Sequence, residues 1–330
     1  MLFQASRRLR KRSPLHGKQV SHTLYRDLKW AWHGYHAAKN DRFVFCRPIG
    51  GFNDNLAQIS RCMTYCMLYK RRLVLSMTNA GQLRSFADFF APHPSSSSSI
   101  LLADSMHGIT ESRDVFPTGL HEEFENIYPI WDAKSKAHID PVSGTKICFE
   151  DREYNQAILF HAQCGGGAGW SALERFQLTP LAWHSIQERL QNLPRHYNAI
   201  HIRNSEHYRT DWKTFLNKIP TQQLHELPCL LCTDDPSIAE AAREIYTSVE
   251  FLSIYQFPPD LDQGESLHYS PKSRGWSFDI GMLADLLGMA GAERLFIASH
   301  RANSFSGFSL LARDLQRRPH LLRRLIPRCP

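Results

Sequence analysis

Arg42-Phe43-Val44-Phe45-Cys46-Arg47-Pro48-Ile49-Gly50-Gly51, then Asn53 to Tyr69, then Arg72-Leu73-Val74-Leu75-Ser76, is the stretch that decides the fold. The first run is short, apolar and β-rich, and it stops at a proline followed by a glycine turn. From Asn53 onward, Leu56, Ile59, Met63 and Met67 recur at helical spacing and predict one buried helix face. Residues 72–76 then read as a second strand. Two strands joined by a helix lie parallel, so the unit predicts a doubly wound α/β sheet whose ligands approach at the carboxyl ends of the strands.

Working outward, residues 92–145 lack a long periodic stretch, and the five serines 95–99 read as low complexity. Ala157-Ile158-Leu159-Phe160 predicts a strand leading into the turn Gly165-Gly166-Gly167-Ala168-Gly169. A second block opens at Thr179-Pro180. It alternates helix 180–193, strand Tyr197–Ile202, a helix from Asp211 and strand Cys229–Cys232. Helix 237–246, opened by Pro236, strand Val249–Leu252, helix 278–290, strand Leu295–Ala298 and helix 304–317 complete it, with a loop over 257–275. The expectation is an α/β protein of two Rossmann-like domains facing each other across a cleft, over 42–178 and 179–330, behind a basic segment 1–41.

The chain has 330 residues and a formal charge of +7. Residues 1–40 carry nine Lys/Arg and one acid, and residues 301–330 carry seven Arg and one Asp, so the body 41–300 is net acidic. A basic groove along the body, and with it a specific nucleic-acid site, is not expected. The aromatic, basic first segment is either an amphipathic helix on an anionic membrane face or a packed helix with a solvated tail. No apolar run is long enough to span a membrane, and Arg7, Arg8, Arg10, Lys11 and Arg12 leave no room for a secretory apolar region. These features point to an intracellular, cytoplasmic protein, peripheral at most at the membrane. The eight cysteines read as buried reduced thiols. Cys229-x-x-Cys232 lies in a strand, where residues three apart face opposite ways, so no metal pair is expected.

Four polar runs fall at strand ends. His201-Ile202-Arg203-Asn204-Ser205-Glu206 puts Arg203 one step beyond a buried strand, where its planar fork suits a diphosphate or a structural salt bridge. In Ser299-His300-Arg301-Ala302-Asn303-Ser304-Phe305-Ser306, a strand gives way to a helix that Ser304 would cap, with free N–H groups for an anion. Thr233-Asp234-Asp235 could hold a metal, accept hydrogen bonds from a base or ribose, or cap the next helix, the last favoured for Asp235. Gly50-Gly51-Phe52-Asn53-Asp54-Asn55 allows close backbone approach to a ligand. It lacks the spacing of a dinucleotide fingerprint, and no P-loop is present.

In order and spacing, Gly50-Gly51-Phe52-Asn53-Asp54-Asn55-Leu56, His201-x-Arg203-x-x-Glu206, Thr233-Asp234-Asp235, Asp285 and Ser304-Phe305-Ser306 resemble the motif series of the GT-B fucosyltransferase superfamily. That group spans bacterial α-1,2- and α-1,6-fucosyltransferases, nodulation-factor enzymes and protein O-fucosyltransferases. The resemblance covers about residues 42–317. It implies a glycosyltransferase using a GDP-sugar donor, foremost GDP-fucose, with inversion, no required metal and no other cofactor, acting on a glycan or lipid-linked saccharide. Arg203 would contact the diphosphate, Ser304, Phe305 and Ser306 would shape the phosphate and sugar pocket, and Asp234 would lie near the nucleoside. Gly50, Gly51, Asn53 and Asn55 would face the cleft from the acceptor side, with His201 and Asp285 as supports. The chain has Glu206 where Asp is usual and Asp54 where Asn is common. Candidate catalytic carboxylates are Glu206, Asp211 and Asp54. Two alternatives remain open: a catalytically impaired nucleotide- or glycan-binding protein of this fold, and a polyanion binder acting through its basic ends.

Overall fold

The computed structural model describes residues 42–76, 86–96, 100–102, 114–120, 127–165, 167–205, 209–255, 257, 275–300 and 304–326. The basic segment 1–41, Glu206 and most of the loop 257–275 lie outside the described residues.

The first half begins with β1 (Phe43–Cys46), α1 (Phe52–Leu68) and β2 (Arg72–Leu75), as the opening stretch predicts. The short α2 (Phe86–Phe89), β3 (Phe90–Pro92), β4 (Ile100–Leu102) and β5 (Val115–Phe116) follow. Then come a hairpin of β6 (Ile130–Asp132) and β7 (Ala137–Ile139), and β8 (Ile158–His161). Strands β1, β2, β4, β5 and β8 form one parallel sheet in the order β4-β2-β1-β8-β5. Two of its strands thus come from the region that periodicity leaves unassigned, because runs of two or three residues carry no readable period.

Next are α3 (Trp170–Leu173), β9 (Phe176–Leu178), α4 (Pro180–Leu190), β10 (Asn198–Ile202), α5 (Trp212–Lys218), α6 (Thr221–His225), β11 (Cys229–Thr233) and α7 (Pro236–Ile245). The chain closes with β12 (Phe251–Leu252), α8 (Trp276–Gly291), β13 (Leu295–Ile297), α9 (Gly307–Gln316) and α10 (Pro319–Leu325). The second sheet is also parallel, in the order β12-β11-β10-β13. β9 reaches back to pair antiparallel with β3.

Both central strands are apolar on both faces, which a parallel sheet covered by helices requires. Along β1, Val44 and Cys46 join one core cluster while Phe43 and Phe45 join another. On β11 the same alternation sends Cys232 into the first cluster and Cys229 into a third, so the two thiols face opposite ways as expected. α8 is buried on nearly every side, which explains its lack of a polar stripe. Its Gly281 is required by space, since a Cβ there would lie 2.6 Å from the Tyr255 ring. On α1 one expectation fails. Cys66, three residues beyond Met63, takes the inward place at the last turn, and Met67 is 60% exposed.

The seven described cysteines are free; five are buried, while Cys148 and Cys164 are half-buried. Among the described residues no helix is long and apolar enough to cross a membrane.

Candidate functional site

In the second sheet, β11 and β12 extend to one side of β10 and β13 to the other. This reversal opens a crevice at the carboxyl ends of β10 and β13, the point where such sheets take their ligands. His201 and Arg203 lie there at the end of β10, and Ser299, His300 and the residues from Ser304 follow β13.

Arg203 pairs through Nε with Asp234 Oδ2 at 3.0 Å, and both side chains are largely buried, at 14% and 8% exposure. Burial pushes the Asp234 carboxyl above the usual carboxylate range, while Arg203 and the Asn204 N–H pull it back. Asn204 N donates to Asp234 Oδ1 at 2.6 Å, and Asn204 Nδ2 to Asp235 Oδ2 at 2.8 Å. Thr210 N closes the loop onto Asn204 Oδ1 at 3.1 Å. Asp235 also caps α7, accepting from Ser237 N at 3.0 Å, as its position before Pro236 predicts. The two carboxylates therefore tie the loop after β10 to the loop after β11 and hold Arg203 at the crevice. Among the described residues no group of three or more His, Cys, Asp or Glu is arranged to hold a metal.

His201 is buried, and its Nδ1 shares a 2.8 Å hydrogen bond with Ser309 Oγ in the first turn of α9. Burial first, and Arg203 second, push the imidazole down to about 3, so it is neutral. Its Nε2 has no hydrogen-bond partner among the described residues.

Helix α9 starts later than expected, and Ser306, not Ser304, is its N-cap residue. Ser304 instead shares a 2.9 Å hydrogen bond with His300 Nε2, and its carbonyl accepts from His300 N at 3.2 Å. Phe305 between them is 36% exposed. The N–H groups that every helix leaves unpaired at its first turn therefore belong to the turn at Gly307.

Gly307 is also where the halves meet: a Cβ there would lie 3.1 Å from Asn53 Nδ2. Asn53, on the first turn of α1, donates to Gly167 O and accepts from Gly169 N, both at 3.2 Å. Gly50 adopts φ +104°, which only glycine takes without strain. Asp54 lies beside it, and burial raises its carboxyl against a lowering bond from the Gly51 N–H. Asn55 is 1% exposed, and neither end of its amide has a hydrogen-bond partner among the described residues.

The remaining predicted residues serve the frame. Asp211 caps α5 through Thr214 N at 3.1 Å, and that bond lowers its carboxyl. Asp285 on α8 bonds the Cys232 thiol of β11, and burial pushes it up to about 7. Sequence reasoning missed Asn204, although it directly follows Arg203. It also missed Ser309, whose partner is distant in the chain.

No protein-family model and no curated protein sequence matches the chain. Several solved structures do. The fucosyltransferase NodZ from Bradyrhizobium is 16% identical with a TM-score of 0.57, over 84% of this chain and 94% of that one. NodZ α-1,6-fucosyltransferase crystallised with GDP has the same TM-score at 15% identity, over 84% and 93% of the two chains. POFUT1 in complex with GDP is 12% identical with a TM-score of 0.51, over 87% and 98%. The likeness is one of architecture: the chain has the GT-B-like fold of these fucosyltransferases, two Rossmann-like halves facing each other across a cleft.

Proposed function

We propose that the protein is a glycosyltransferase that takes a GDP-sugar, foremost GDP-fucose, and transfers the sugar with inversion to a glycan or lipid-linked saccharide, without a metal. The observation that carries this reading is the buried Arg203–Asp234 pair at the crevice between β10 and β13. Breaking a glycosyl–diphosphate bond builds negative charge on the leaving group. A guanidinium held in place by a carboxylate, together with N–H groups at the first turn of α9, would stabilise that charge without reorganising. The neutral His201 offers Nε2 to the same crevice. The NodZ and POFUT1 structures with bound GDP support the donor class.

Inversion needs a base on the acceptor side. Of the described candidates, Asp211 is committed to capping and its carboxyl is lowered, whereas Asp54 sits at the Gly50 turn with its carboxyl raised. Asp54 is the better proton acceptor for an acceptor hydroxyl.

The test is calorimetry with GDP, UDP and ADP on the wild type and on Arg203→Lys, which keeps a cation beside Asp234 but loses the planar fork. GDP is expected to bind in preference to the others, and Arg203→Lys to weaken it about tenfold or more, roughly 1.4 kcal/mol. Equal binding of all three, or unchanged GDP affinity in the variant, counts against the reading. Transfer from GDP-fucose is expected to persist in EDTA and to collapse in Asp54→Asn while GDP affinity holds.

A further inference from the structure

Residues 313–326 carry five arginines and one acid, Asp314. In α10, Leu321 and Leu325 are buried in the core, which turns His320, Arg323 and Arg324 outward. Arg317 is exposed just before it. The single acid is already paired, with Arg318 at 3.1 Å, and the Arg318 guanidinium lies 3.8 Å over the Trp170 ring. Arg317 and Arg323 make no side-chain hydrogen bond or ion pair among the described residues. Neither has a structural task.

This cationic helix adjoins exposed apolar surface. Arg324 Nη2 contacts Ser95 Oγ at 3.0 Å and His93 Nδ1 at 3.1 Å, and His93 N donates to Arg175 O. Arg175 Nη2 in turn contacts Met67 Sδ at 3.6 Å. Met67 and Leu68 end α1 with 60% and 62% of their surface exposed. One continuous surface thus runs from α10 across β9 to two large apolar side chains. Asp314 is the acid already paired with Arg318, and Glu174 adjoins Arg175 in the chain. Asp151 accepts from the Tyr69 hydroxyl at 3.3 Å, just past the end of α1.

We propose that α10, Arg175 and the Met67–Leu68 end of α1 form a docking face for an anionic lipid surface. Unpaired arginines around inserted apolar side chains match acidic headgroups over an acyl boundary. A nucleic-acid backbone would use the charges but leaves the two apolar side chains without a role. The face lies 14 residues along α1 from Asn53, about 21 Å at 1.5 Å per residue, so docking leaves the crevice open. The assignment does not depend on the glycosyltransferase reading.

The full-length protein should co-sediment with phosphatidylcholine vesicles containing phosphatidylglycerol and stay in solution with phosphatidylcholine alone. At about 1 kcal/mol for each arginine near an anionic surface, Arg317→Gln with Arg323→Gln should weaken binding about 25-fold. Met67→Ser with Leu68→Ser should weaken it without changing its salt dependence. All four positions are exposed, so thermal unfolding should be unaltered in both variants. The proposal is overturned by failure of the wild type to bind acidic vesicles. It is equally overturned if both variants bind like the wild type, because residues 1–40 then carry the attraction. Tighter binding to duplex DNA than to vesicles at equal phosphate, insensitive to the apolar pair, overturns it as well.

Discussion

The two parallel sheets share one winding and differ in chemistry. In β4-β2-β1-β8 and in β12-β11-β10-β13 the order reverses beside the strand that comes first in its half, and each crevice receives a buried neutral histidine. Burial lowers His161 on β8 and His201 on β10 alike to about 3. What surrounds them differs. His161 bonds the Gln58 amide at 2.7 Å, and the first crevice is lined by Asn53, Gln58 and glycine backbone. His201 bonds a hydroxyl and adjoins a buried ion pair. Topology supplies two equivalent crevices; side chains put a buried ion pair in one and, in the other, the Asp54 carboxyl among amides and glycine backbone.

The largest expected break in this symmetry is a pH effect confined to the second half. Asp285, with its carboxyl at about 7, prefers to be neutral in the fold. Its contribution to stability is therefore full below about pH 4 and is lost as pH rises through 7, on the order of 4 kcal/mol in all. The two histidines act the other way: their contribution is present above about pH 6.5 and is lost as pH falls toward 3. Two histidines outweigh one carboxyl between about pH 4 and 6.5, so urea unfolding should show a maximum near pH 6.5 and a shallow decline through 7. Asp285→Asn should abolish that decline and steepen the rise between about pH 4 and 6.5. A decline that survives in the variant would show that another group carries it.

A middle-sized effect tests the first crevice. Gly169 sits so close to α1 that a Cβ would lie 2.7 Å from Asn53 Oδ1, 2.8 Å from Asn53 O and 2.9 Å from Leu56 Cβ. Two of these neighbours cannot swing away, so Gly169→Ala should cost about 1–3 kcal/mol of unfolding free energy. Because Asn53 also meets Gly307, the displacement should reach the start of α9 and weaken GDP binding as well. Loss of stability with no change in GDP affinity would mean that the two crevices are mechanically separate.

The long elements were legible in the sequence because period and punctuation agree there. Apolar residues at helical spacing mark α1, Thr179-Pro180 opens α4 with Thr179 accepting from Ala182 N, and Asp235-Pro236 opens α7. The motifs at the ends of β10 and β13 were legible for the same reason, as polar runs after buried strands. What could not be read depends on contacts between distant segments. β4 and β5 are strands only because β2 and β8 offer them an edge. Ser304 satisfies every local rule for an N-cap, yet the hydrogen bond to His300 claims it. Met67 fits the helix period but falls past the point where Cys66 closes the core.

The smallest expected effect isolates the second crevice. Ser309 Oγ is the described partner of His201 Nδ1, and both side chains are buried. Ser309→Ala removes the hydroxyl and leaves Nδ1 without a partner, at a cost of about 1 kcal/mol. The change in unfolding free energy should be modest. The sharper readout is the imidazole itself, because the bond fixes which nitrogen carries the proton, and nitrogen NMR chemical shifts report that directly. In the wild type His201 should show a single tautomer, and in Ser309→Ala a mixture. Ser309→Thr, which keeps the hydroxyl, should restore the single form. His161, anchored by Gln58, should keep its tautomer in all three proteins and serves as the internal control. A His201 signal unchanged by Ser309→Ala would place control of that ring in its packing against Phe308 and not in the hydrogen bond.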